Sequence, residues 1–183
     1  MRSPLGLWTV ADYLEAEAAS DIRHEYISGY VFAMVGASEA HNLIAGNLLA
    51  LLRPHLRGKG CRVFMSDMKL KVKDDIFYYL DLLVTCHPQD NQPYFKTEPT
   101  LIIEVLSKTT ETTDLREKLM HYQTLASLQE YVLVSQNYIE VEVYRRQPSG
   151  HWTVEVLKAD HDLHLESVDL RLTMAEIYED VRW

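Results

Sequence analysis

Apolar and polar positions divide the chain into short periodic blocks. Thr9 followed by Asp12 has the spacing of a helix N-cap and predicts a first helix running to about Ala19. The segment "HEYISGYVFAM" reads as two short strands turning at Ser28-Gly29. Leu43, Ile44, Leu48, Leu51 and Leu52 form the stripe of a longer helix from about Glu39 to Leu56, with Gly58 as its stop signal. "CRVFMSDMKLKV" and "FYYLDLLVTC" each read as one strand, separated by a turn at Lys73-Asp74-Asp75. "HPQDNQPYFKTEP" is a polar, proline-punctuated loop leading into the strand "PTLIIEVLS".

Beyond that strand, Asp114 and Glu117 stand at capping-box spacing and open a helix expected to reach about Ser127. "EYVLVS", "YIEVEVYRR" and "HWTVEVLKA" follow as strands, and Thr173 with Glu176 boxes a last short helix. Without repeats, linkers or composition shifts, residues 1–183 read as a single α/β (α+β) domain, one mixed sheet flanked by helices.

Composition narrows the function classes. With 47% hydrophobic and 25% charged residues, the chain is an ordinary globular one. It shows no membrane-length apolar run and no leader-like apolar stretch near "MRSPLGLWTV", so the expectation is a cytoplasmic protein. Cys61 and Cys86 stand apart in apolar runs and read as buried free thiols. A net charge of −9 argues against a general nucleic-acid coat protein but not against an enzyme with a local cationic patch. Arg53, Arg57, Lys59, Lys69, Lys71 and Lys73 could supply such a patch by converging.

Two carboxylates disturb this pattern. Glu104 interrupts "LIIEVL" and Asp81 interrupts "YYLDLLV", both runs suited to strands buried on two faces. Either acid alone would be read as a strand end or an ion-pair acceptor. Together, on strands joined by one loop, they favour a shared site that needs a cation, and hard ions such as Mg²⁺ take one or two carboxylates plus waters and phosphate oxygens. On the following helix Lys118 falls within the stripe of Leu115, Leu119, Tyr122, Leu125 and Ala126, so its stem points toward the sheet and Glu104. Snorkelling past its neighbours is the ordinary fate of such a lysine. Lys118 is the natural partner of Glu104, but neither acid is expected to be held structurally, so removing one would relieve desolvation and like-charge repulsion and leave metal-free stability unchanged or raised. Lys118→Met, which keeps the stem, would cost little in folding.

Other candidates carry less. His41 at a helix start suits a surface or capping role as well as a site role. His161-x-x-His164 lacks a third ligand for zinc. Asp114 reads as a cap and Tyr122 as core. The hydroxyl-rich turn of Ser107, Thr109 and Thr110 has no glycine-rich cradle, and no nucleophile elbow or Cys/His pairing appears.

Two strand acids with a nearby lysine resemble the active site of the PD-(D/E)xK nucleases. The string "EVLSKTTETTDLREKLMHYQTLASLQEYVLVSQNYIEVEVYRR" resembles the Uma-two family, described as "putative restriction endonucleases", in its strand end Glu104–Ser107, its helix positions Asp114, Lys118 and Tyr122, and its Glu130-Tyr131. "HEYISGYVFAM", "HNLIAGNLLALL" and "LTMAEIYED" extend the likeness over nearly the whole chain. The resemblance implies a restriction-endonuclease-like fold, Asp81 and Glu104 as ligands of Mg²⁺ or Mn²⁺, Lys118 as a lysine displaced from strand to helix, Glu25 as an additional acid, and nucleic acid, chiefly DNA, as substrate of an enzyme, with a homodimer among its expected assemblies. Leu80 stands where the superfamily has proline and Leu106 where it has lysine. If Lys118 does not reach the acids, the implied alternative is a catalytically silent binding or assembly module.

Overall fold

The computed structural model describes residues 7–34, 36–106 and 114–183. In chain order the elements are α1 (Val10–Ala18), β1 (His24–Ile27), β2 (Tyr30–Ala33), α2 (Glu39–His55), β3 (Arg62–Met65), β4 (Lys69–Lys73), β5 (Ile76–Tyr79), β6 (Leu82–Thr85), β7 (Phe95–Lys96), β8 (Leu101–Leu106), α3 (Asp114–Gln123), β9 (Glu130–Ser135), β10 (Val141–Arg146), β11 (Trp152–Leu157), β12 (Asp162–Leu165), a 3₁₀ turn (Glu166–Val168), β13 (Leu170–Thr173) and α4 (Met174–Ile177). The α+β class is as expected, but the strands form two larger mixed sheets and a ribbon. One sheet runs β2-β1-β5-β4-β7, the other β11-β10-β9-β8-β6-β3, and β12-β13 stands apart.

The division into two sheets arises at one place. β3 to β6 form a long hairpin whose base half, β3 with β6, belongs to the six-stranded sheet, while its tip half, β4 with β5, belongs to the five-stranded sheet. Both legs break at the same level. Ser66 adopts φ 49°, and its N–H donates to the carbonyls of Leu80 and Asp81 at 3.0 and 3.2 Å. A chain that switches sheets must bend, and the two segments read as single strands bend here. Asp81 therefore lies at a corner between β5 and β6, not inside a strand.

The core has three parts. α2, α4 and the β12–β13 ribbon cover one face of the six-stranded sheet through Ile44, Leu48, Leu52, Leu163 and Ile177. The other face packs Leu83, Ile102, Tyr131 and Leu133 against Leu70, Tyr78, Leu80 and Tyr122. Beyond the five-stranded sheet, Tyr13 of α1 stacks on Tyr26 with ring centroids 4.9 Å apart and completes a small aromatic cluster with Phe77. Along β8, Leu101, Ile103 and Val105 face α2, while Ile102 and Glu104 face α3.

Both capping boxes read at Thr9/Asp12 and Thr173/Glu176 form. The side chain of Asp114 and the turn from Ser107 to Thr110 lie outside the described residues. α3 ends at Gln123, four residues short of the expected Ser127: Thr124 and Leu125 turn back with their N–H groups on the carbonyls of His121 and Tyr122. Leu125 still reaches the core from this turn, which is why the apolar spacing outran the helix.

Cys61 and Cys86, expected as free thiols, are joined as a disulfide with Cα atoms 4.0 Å apart. They extend the β3–β6 ladder one step past its Arg62–Thr85 pair, so strand register brings them face to face. The bridge closes a loop spanning 25 residues around the whole bent hairpin. By loop-closure entropy, reduction or a Cys61→Ser/Cys86→Ser double variant should lower unfolding stability by about 3 kcal/mol. Urea melts of oxidised and reduced protein check this; coincident midpoints would show that the bridge adds nothing to the hairpin's own stability.

Candidate active site

The corner at Asp81, the end of β8, the start of α2, one face of α3 and strand β1 meet at one locality. Register explains the first pairing. Leu82 is opposite Ile103 across the antiparallel β6–β8 ladder, so Asp81 continues it opposite Glu104. The backbone N–H of Val105 donates to Asp81 Oδ2 at 2.7 Å. On the same oxygen, at 3.2 Å, sits His41 Nε2. His41 is held in the first turn of α2, where its N–H donates to the Ser38 N-cap hydroxyl at 3.2 Å. The hydrogen bond to Asp81 raises the His41 pKa above its ordinary value, against an opposing effect of burial. The structure thus places His41 against Asp81 rather than on the open surface.

Glu104 is held from both sides. Tyr122 of α3 and Tyr131 of the parallel neighbour β9 each donate a hydroxyl to Glu104 Oε1, at 3.0 and 3.3 Å. Both tyrosines are fully buried, with their rings edge to face at 5.1 Å. Burial pushes the Tyr122 hydroxyl far above its ordinary pKa, so it remains a donor throughout the physiological range. Tyr122 is core, as its place on the stripe indicated, and it is also a partner of the acid. Tyr131 was not singled out by its own pattern, because a tyrosine in an apolar strand reads only as core.

Lys118 joins the third and fourth members. Its Nζ lies 3.0 Å from Glu25 Oε1 and 3.5 Å from Glu104 Oε2, so its nearer partner is Glu25. Tyr79 N–H donates to the same Glu25 oxygen at 3.3 Å. The ammonium also stands 5.1 Å from the centre of the Tyr78 ring, and the Tyr78 hydroxyl meets His121 Nδ1 at 2.8 Å. Lys118 is buried, so a cation–π contact there is worth more than at the surface. Glu25, Asp81, Glu104 and Lys118 are therefore neighbours. Lys118 meets Glu104 as its position on the stripe indicated, but the acids are also held structurally: each has at least two further donors or partners, contrary to the expectation that removing one would not cost stability.

The expected cationic patch does not assemble at these acids. Lys69 is buried with Nζ 3.3 Å from the Tyr79 hydroxyl, and burial lowers its pKa. Tyr79 in turn donates to the buried Glu17, which also binds His24. Lys71 pairs with Asp74 at 2.8 Å. Arg53 lies in the last turn of α2 and Arg57 and Lys59 follow that helix, with the His41–Arg53 span alone about 18 Å at 1.5 Å per residue. His161 and His164 also part: the first contacts Asp160, and the second is paired with Asp169.

Among the described residues no group of three or more His, Cys, Asp or Glu side chains is arranged to cage a metal ion. Mg²⁺ does not need such a cage, because one or two carboxylates with waters and substrate phosphates suffice. The donors here suit that mode. Both partners of Asp81 use Oδ2, while Glu104 takes the two tyrosine hydroxyls on Oε1 and faces Lys118 Nζ through Oε2, so each acid is oriented by several protein donors. That is the outer-shell arrangement that fixes carboxylate ligands.

Comparisons with known proteins agree with this architecture. The profile of the Uma2 family, described as "Putative restriction endonuclease", matches residues 10–175. Two Synechocystis proteins, "Uncharacterized protein slr1290" and "Uncharacterized protein sll1609", are 35% and 32% identical to the chain, over 91% and 84% of it and 89% of each of theirs. A crystal structure described as "a putative nuclease belonging to DUF820", from Anabaena variabilis, superposes with a TM-score of 0.76 at 18% identity, covering 93% of this chain and 97% of that one. The chain belongs to the Uma2 family and carries its restriction-endonuclease-like fold.

Proposed function

We propose that the protein is a metal-dependent endonuclease that hydrolyses phosphodiester bonds, with DNA as the leading substrate. The observation that carries this reading is that a helix-borne lysine, Lys118, reaches Glu25 and Glu104 across the helix–sheet interface, beside an acid at a strand corner. Asp81 and Glu104 would hold Mg²⁺ or Mn²⁺. A bound divalent ion polarises a phosphoryl oxygen and lowers the pKa of a coordinated water. The chain's own residues do the rest. Val105 N–H and His41 aim Asp81, and Tyr122 and Tyr131 aim Glu104. Lys118 places a fixed positive charge where the attacking water and the scissile phosphate would gather, which favours the charge that develops during displacement. Glu25 holds that ammonium in place.

Calorimetric titration with Mn²⁺, beside a plasmid-nicking assay, tests the proposal. The parent should bind the ion and nick DNA, and Asp81→Asn should lose both. No uptake by the parent and no cleavage of any nucleic acid would instead make Glu25, Glu104 and Lys118 a buried structural ion cluster in a silent member of the family.

A further inference from the structure

The edge strand next to Glu25 carries an unusual surface. Tyr30 and Phe32 on β2 are 59% and 51% exposed, and Met34, just past the strand, is 41% exposed. β2 is an edge strand, so one side of it has no neighbouring strand among the described residues. The orientation of these side chains follows from register. Phe32 is the cross-strand partner of Glu25, and Tyr30 that of Ile27. Paired residues in an antiparallel ladder share a face, with Cβ atoms about 4.5–5.5 Å apart. Ile27 packs on the cluster containing Tyr78 and Tyr122, which is the α3 side. Val31, between the two aromatics, packs with Tyr26 and Tyr13 on the α1 side. Phe32 thus stands next to Glu25, on the face where Glu25 meets Lys118.

We propose that Tyr30 and Phe32 are a stacking platform for unpaired nucleobases, and that the substrate is a nucleic acid with a single-stranded stretch beside the scissile phosphate. This rests on the nuclease reading and names its substrate class. Charge favours it over duplex docking. The chain carries −9 overall. Among the described residues named near the site, Lys118 pairs with Glu25 and Glu104 and Lys69 is buried on Tyr79, while Arg23 and Lys71 pair at the surface with Asp67 and Asp74. Duplex binding draws most of its strength from lysines and arginines on phosphates. Unpaired bases offer a second source, the π face, and aromatic side chains that stack on it do so without sequence preference. In a duplex those faces are already stacked on one another and cannot reach an exposed phenylalanine.

The test uses full-length protein in EDTA, so that no turnover intervenes. The probe is a single-stranded oligonucleotide carrying 2-aminopurine, compared with the same sequence as a duplex. The parent should bind the single strand at least about tenfold more tightly and quench the 2-aminopurine fluorescence. Tyr30→Ala and Phe32→Ala should each weaken single-strand binding by about fivefold to a hundredfold and leave duplex binding unchanged. Phe32→Trp should restore it, while Phe32→Leu, which keeps apolar bulk without a π face, should not. Both positions are exposed, so thermal melts should be unaltered. Equal binding by Phe32→Leu and parent would overturn the platform, and intact Mg²⁺-dependent cleavage of duplex by these variants would show that the nuclease reading survives it. Sedimentation of the parent as a dimer that Phe32→Ala converts to monomer would overturn it too, by assigning the patch to a second copy. A parent that neither binds nor cleaves any nucleic acid removes the nuclease reading, and the inference with it.

Discussion

Glu104→Ala should abolish metal-dependent cleavage, a loss of more than about a thousandfold, and should also destabilise the metal-free protein. The second half of this expectation reverses what the sequence suggested. The carboxylate accepts hydrogen bonds from the hydroxyls of two fully buried tyrosines and faces a buried ammonium. Truncation leaves those phenols and that charge short of a partner, and each buried polar group so stranded costs about 1–3 kcal/mol. A loss of stability by itself therefore does not argue against catalysis. Glu104→Gln separates the two effects. Its amide oxygen still accepts from Tyr122 and Tyr131, so the fold should melt close to the parent, while the negative charge that a divalent ion requires is gone. Cleavage should fall as far as in the alanine variant. Mn²⁺ binding and thermal melts measured on both variants check this. Retention of cleavage in Glu104→Gln would remove Glu104 from the metal site.

The parts of the fold that depend on local periodicity were legible in the chain. The stripe of Leu43, Ile44, Leu48 and Leu52 produced α2 within a residue of its observed end, and the alternation of Ile139, Val141 and Val143 marked β10. Glu104 was legible because an acid amid five apolar strand residues violates the pattern. Three features depended instead on which strands meet. The corner at Asp81 is set by the hairpin's two halves pairing into different sheets, and the only local sign of it is the polar Ser66-Asp67 opposite. The β12–β13 ribbon escaped notice although Leu163, Leu165 and Leu172 alternate inward onto the α2 side of the core, because each of its strands is only four residues long. The Cys61–Cys86 bridge is a consequence of register between strands that the sequence gives no means of aligning. The basic patch did not form at the acids for a related reason: the Glu17–Tyr79 network buries Lys69, and the β4–β5 ladder shifts register between Lys71 and Lys73.

The site's lysine was legible as a direction but not as a set of partners, and that difference changes what its removal should do. From the stripe alone, Lys118→Met keeps the stem and costs little. In the structure the ammonium lies 3.0 Å from Glu25 and 3.5 Å from Glu104, with all three side chains nearly out of solvent. Methionine would leave the two carboxylates close together without the charge between them, and losing one member of such a buried set is destabilising by about 3 kcal/mol. Lys118→Met should therefore melt well below the parent in EDTA. A divalent cation should restore the variant more than it restores the parent, because it replaces a missing positive charge in one and competes with an existing charge in the other. Turnover should still fall by about a hundredfold or more at saturating metal, since the charge fixed beside the phosphate is not regained. Thermal melts with and without Mn²⁺, read beside cleavage rates, give three numbers for one substitution. A variant that melts with the parent in EDTA would show that Lys118 only passes the acids on its way to solvent. A variant that is destabilised and rescued by metal, yet cleaves as fast as the parent, would confine the lysine to holding Glu25 and Glu104 together and leave the chemistry to the metal and the acids alone.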